Sequence, residues 1–191
     1  MRAVLVVLAL TAVMWLLQLS RMILPWDAAS LGIWPRDTDQ IATIFTSPFV
    51  HADWAHLLAN TVPLLVLGSL VAFSGLGRFA GASLIIVLAS GLGVWLVSPA
   101  GVPTVGASGL IFGYFGFLVL RGIIERKVSD IVIMICVVLF YGGLIFGVLP
   151  QDGPISWQGH LFGFIGGLVA AYMLPRRERA AVQRSPYSGR Y

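Results

Sequence analysis

Six apolar blocks follow one another along the chain: Ala3 to Leu24, Asp53 to Phe73, Ala80 to Val97, Gly106 to Leu120, Val128 to Leu149 and Trp157 to Leu174. The pattern breaks at Ser74-Gly75, Ser98-Pro99, Arg121 to Lys127 and Pro150 to Pro154, where turn-forming or charged residues gather. Most blocks approach the roughly 20 residues that cross a hydrocarbon core, and a backbone in lipid must satisfy its own hydrogen bonds. The pattern therefore predicts an all-α membrane protein: a six-transmembrane-helix bundle forming one domain over residues 1–175. The first block follows Arg2 and has the look of a secretory leader. It lacks a convincing small-x-small cleavage site before Arg21, so it is read as a retained helix.

Two stretches fall outside the blocks. Pro25 to Phe49 is too polar to span and too aromatic for a plain linker, and Trp26 and Trp34 point to an interfacial loop at headgroup level. Arg176 to Tyr191 reads as a basic, mobile cytoplasmic tail.

Composition agrees with this reading. Of 191 residues 58% are hydrophobic and only 10% charged, with a mean hydropathy of +0.92, which excludes an ordinary soluble domain. The net charge of +4 does not indicate nucleic acid. Arg2, Arg78, Arg121, Arg126, Lys127 and the tail arginines fall on one side of a six-helix alternation, and only Arg21 and Arg36 on the other. The positive-inside rule then puts both termini in the cytoplasm. The single cysteine, Cys136, supports neither a disulfide framework nor a thiolate cluster.

Few strongly polar side chains remain in or at the mouths of the spans: His51, His56 and Asn60 around the second, Ser108 in the fourth and His160 in the sixth. Helices two, four and six run in the same direction, and each of these residues lies in the first turns of its helix. Parity puts them all on one face of the membrane. His56 and Asn60 are four apart and share a helix face. Gly163 and Gly167 form a small-xxx-small stripe that suits close packing against Gly109, Gly113 and Gly116, which would bring His160 to Ser108. A fourth span from Gly106 to Leu120 would be only about 22 Å long, against a core of roughly 30 Å. Its outer end is expected to be sunken, with Ser98 to Thr104 dipping into the protein and giving water a route to Ser108.

Each residue also has a structural reading. Gly106-Ala107-Ser108-Gly109 alone fits tight helix packing, His56 alone fits a hydrogen bond between helices, Asn60 alone fits helix glue, and His51 fits a bond to loop backbone. The three histidines could bind zinc with water as a fourth ligand. His51 and His56 are five apart, poorly placed on one helical face, and there is no His-Glu-x-x-His, so no metal or cofactor is expected.

Taken jointly, His56-Leu57-x-x-Asn60, Gly106-Ala107-Ser108-Gly109 and Gly159-His160-x-x-Gly163 resemble the rhomboid intramembrane serine proteases in their minimal six-helix form, from Leu31 to Leu174. The resemblance implies Ser108 as nucleophile, His160 as general base and then acid, and His56 with Asn60 as donors to the oxyanion. It implies a supporting, non-catalytic role for His51 and a cap loop at Leu149 to Gln158. There are two departures. Ala42-Thr43 stand where many members carry Trp-Arg, and Phe112 replaces a tyrosine that packs on the catalytic histidine.

The expected activity is a serine-type endopeptidase that cleaves transmembrane segments of membrane-protein substrates near the outer face by a Ser-His dyad. The site would face the outer side of a bacterial-type plasma membrane, with lipid around it. The alternatives are a catalytically silent scaffold that binds transmembrane segments, and a small transporter with a histidine proton relay. The latter is disfavoured because no internal repeat is visible and no Asp or Glu lies in mid-span.

Overall fold

The structure is a computed structural model describing residues 2–151, 153 and 155–174. The tail at 176–191 and Asp152 of the expected cap loop lie outside the described residues. Among the described residues there are six α-helices: α1 (Arg2–Ser20), α2 (Trp54–Ala72), α3 (Leu76–Val97), α4 (Ser108–Glu125), α5 (Val128–Tyr141) and α6 (Trp157–Met173). Short 3-10 turns occupy Ala28–Leu31, Ile41–Phe45 and Ser47–Phe49 in the first loop, and Gly142–Val148 after α5. Trp54–Ala72, Leu76–Val97, Ser108–Glu125 and Val128–Val148 are long and apolar enough to cross a membrane. Val4–Ser20 is a shorter apolar helix, and α6 has 17 residues.

α4 is the central helix. Twelve of its 18 residues are buried, and its most extensive packing is against α6. A side chain at Gly163 would collide with the Gly109 carbonyl, and one at Gly167 with the Gly113 carbonyl. The expected glycine stripe is therefore real: the two backbones touch where any Cβ would hold them apart.

The helix ends differ from the expected ones, for local reasons. α2 begins one residue late because Asp53 is its N-cap, its carboxylate accepting the His56 N–H at 2.8 Å. Asp53→Ala is expected to cost about 1 kcal/mol, read as a lower unfolding midpoint in mild detergent. α3 starts at Leu76 and includes Arg78; α4 runs on to Glu125 and includes Arg121. At 18 residues α4 is about 27 Å long, so shortness no longer argues for a sunken outer end.

The two arginines are not loop charges. Arg78 pairs with Glu125, and Arg121 pairs with Asp130 and lies 3.4 Å from Glu125. None of these side chains is more than 8% exposed. Arg78 also sits over the Phe117 ring, 5.2 Å from its centroid. Two cations and two anions neutralise each other, which lets charge enter the bundle at the end of α4 opposite Ser108.

The first loop is tied to the rest of the chain by backbone. Ile33 and Thr104 exchange N–H···O bonds at 2.9 Å in an isolated antiparallel bridge. Arg36 donates to the Ser98 carbonyl at 2.9 Å and the Leu96 carbonyl at 3.3 Å, placing a cation at the C-terminus of α3. Gly106 N–H donates to Ser47 O at 2.9 Å. The loop therefore fixes the segment that leads into α4.

Candidate active site

Ser108 is the first residue of α4, and Ala107 before it caps nothing with its side chain. Helix geometry leaves the N–H groups of the first turn without i−4 acceptors, so this end carries aimed donors and a partial positive charge. Gly106 turns the chain into the helix at φ 115°, a conformation that favours glycine. A Cβ there would also stand 2.6 Å from His56 Cε1 and 2.7 Å from His56 Nε2. The His56 imidazole thus lies against the backbone two residues before Ser108.

His160, in the first turn of α6, is 7% exposed. Its ring stacks on Phe112 at 3.9 Å with a 9° interplanar angle. Phe112 lies one turn after Ser108 on the same face of α4, so the stack holds the imidazole on the serine's side. Phe112 supplies a ring for this stack and, unlike a tyrosine, brings no hydroxyl. His160 Nδ1 is 3.0 Å from Gly147 O. A carbonyl only accepts, so Nδ1 is the donor, and in the neutral ring Nε2 is then the nitrogen with the free lone pair. Among the described residues no hydrogen bond joins Ser108 to His160; such bonds often tighten only with substrate present.

Gly147 was not singled out by the sequence. A Cβ there would stand 2.6 Å from Phe112 Cζ and 3.3 Å from His160 Nδ1, so only glycine lets the 3-10 turn bring its carbonyl to the ring. The sequence signal is faint: one glycine among the three of Gly142 to Val148.

Asn60 is 4% exposed, and its amide donates to His56 O at 2.9 Å. One amide hydrogen is thereby used within the helix and the other remains. His51 is 1% exposed, lies edge-on to His56 with centroids 5.0 Å apart, and accepts a long bond from Ala107 N–H at 3.4 Å. Burial first, then the neighbouring His56 charge, push its pKa down to about 3 against the opposing pull of Asp53. It is therefore neutral at physiological pH, as an acceptor must be. Arg21 donates to the carbonyls of His51 at 2.7 Å and Ala52 at 3.2 Å, clamping this segment to the end of α1.

Beside Ser108 is a hollow of about 30 Å³, lined by Ser47, Ser90, Thr104, Gly106, Ser156 and Gly159 among others. That is room for a water among polar partners. The structure therefore sets His56 against the turn that leads into Ser108 and His160 against Phe112 one turn further along α4, with Asn60 one turn below His56 on α2.

Comparison with known proteins bears on the family of the chain. The Rhomboid domain matches residues 38–177. An uncharacterised protein of Mycobacterium tuberculosis is 48% identical over 164 residues, covering 81% of this chain and 68% of that protein. A putative rhomboid protease of Bacillus subtilis, YdcA, is 31% identical over 196 residues, covering 91% and 89%. The B. subtilis rhomboid protease GluP is 34% identical over 142 residues, covering 69% of this chain and 25% of that protein. With the domain matched over most of the chain, and relatives of this similarity along nearly its full length, the protein belongs to the rhomboid family.

Proposed function

We propose that the chain is an intramembrane serine endopeptidase that cuts transmembrane segments by a Ser108–His160 dyad. The observation that carries this reading is His160 Nδ1 on the Gly147 carbonyl with the ring flat on Phe112. It leaves Nε2 as a base on the Ser108 side of α4. The relatives named as rhomboid proteases support the same reaction class.

In this mechanism Ser108 Oγ attacks the peptide carbonyl while its proton passes to His160 Nε2. The oxyanion that forms takes hydrogen bonds from the Ser108 N–H, His56 and the remaining Asn60 amide hydrogen. His160 then gives its proton to the leaving amine, and an acyl-serine remains. Water attacks that ester, His160 takes the water proton and returns it to Ser108 Oγ, and the second product leaves. A backbone carbonyl orients the imidazole where other serine proteases use an aspartate.

The proposal extends to topology. Both termini are cytoplasmic, and the site lies below the outer surface of a bacterial plasma membrane, under the Ser47–Phe49 turn. Substrates are single spans with Gly, Pro or other helix breakers near that face, because a regular helix hides its amides. Breaker-free polyleucine spans should resist cleavage; equal cutting of both would defeat this part.

The test is a gel-based cleavage assay in reconstituted vesicles with a generic transmembrane substrate. Asn60→Ala is expected to lower turnover by about 10²- to 10³-fold without abolishing it. Gly147→Val, which pushes the ring off its carbonyl, is expected to cost about 10²-fold with little change in KM. A silent scaffold is distinguished by fluorophosphonate labelling of Ser108, which needs an activated hydroxyl; no labelling of folded protein would favour the scaffold.

A further inference from the structure

A second, larger cavity of about 200 Å³ lies beneath the first loop, between α1, α2, α3 and the start of α4. Met14, Phe49, Leu64, Val87 and Leu110 are among its lining residues, with Leu84 beside its mouth. It is larger than the dry cavity of about 150 Å³ that takes up benzene. Ser83 is its polar lining residue, and that hydroxyl is already engaged, with Phe79 O and Tyr114 OH each at 2.7 Å. Water needs two to four polar partners, which this wall does not offer. The occupant must be apolar.

Shape and access narrow it further. Phe49 belongs to the roof, whereas Leu64 is ten residues into α2 and Val87 ten residues from the end of α3. At 1.5 Å per residue the slot descends about 15 Å alongside the helices, half a hydrocarbon core. Leu84 and Phe45, each 51% exposed, flank the opening. The cavity is thus continuous with the apolar surface that a membrane protein presents to the bilayer.

We propose that an acyl chain of a bilayer phospholipid, from the leaflet on the Ser108 side, occupies this slot. It lies parallel to the helices with its headgroup at the level of the first loop. Ala107 forms part of the wall, so the chain backs the backbone that leads into α4. The proposal rests on membrane residence and not on protease activity.

The experiment uses the full chain in phosphatidylethanolamine–phosphatidylglycerol vesicles containing a trace of phospholipid with a mid-chain diazirine, and no substrate. After irradiation, crosslinks are mapped by mass spectrometry. Met14 and Leu110, 1% and 9% exposed, are reachable from within the slot and are expected to be labelled. Exposed Leu139 reports ordinary surrounding lipid. Val87→Trp, or Leu84→Trp at the mouth if the first does not fold, is expected to remove the labels at Met14 and Leu110 while Leu139 stays labelled. Labelling confined to exposed positions, or unchanged in the folded variants, would overturn the proposal. Displacement of the lipid label by a transmembrane peptide would assign the slot to substrate and overturn it as well.

Discussion

Ser108→Ala and His160→Ala are each expected to reduce cleavage by about 10⁶-fold, the order lost when either partner is removed from a Ser-His machine. The double variant should be no worse than either single one, because a nucleophile without a base and a base without a nucleophile are equally idle. Both proteins should fold as the parent does: Ser108 begins a helix that takes no cap from it, and His160→Ala leaves the glycine contacts between α4 and α6 intact. The measurement is turnover in vesicles beside an unfolding midpoint in detergent. Undiminished cleavage by either folded variant would remove the dyad from this protein.

Gly163→Val is expected to fail differently, losing stability and activity together. The new side chain meets the Gly109 carbonyl, so what must yield is backbone. Overpacking costs about 1–3 kcal/mol where side chains can shift, and the upper end is expected here. The α4–α6 crossing would open, and His160 would leave the serine's side. Gly77→Val is the control: a Cβ at Gly77 meets nothing within 4 Å, and its effect should stay within about 0.5 kcal/mol. A normal midpoint for Gly163→Val would mean that the crossing is looser than drawn.

Much of the candidate site was legible because its residues contradict their medium. A histidine, an asparagine and a serine at equivalent depths in three parallel spans stand out against lipid, and glycines four apart announce where two backbones meet. The helices were legible for the same reason, though not their ends. α4 runs past Leu120 because Arg121 finds partners in Glu125 and Asp130, and only the Arg121–Glu125 spacing of four hinted at this. The Arg78 pairing joins residues 47 apart in sequence, a relation that no local pattern encodes. Gly147 was illegible because its contribution is a carbonyl, which every residue has. What distinguishes it is the lack of a side chain at one crowded point.

That carbonyl has a mechanical consequence. It stands near the end of the segment Val128–Val148, whose side chains are mostly exposed on the outside of the bundle. In the mechanism proposed above, the carbonyl that aims the base is thus carried by a segment whose side chains mostly face out of the bundle. Under that proposal, a change in bilayer thickness or lateral pressure that tilts this segment would act on the imidazole through one hydrogen bond, making the surrounding fluid a tuning element for the chemistry.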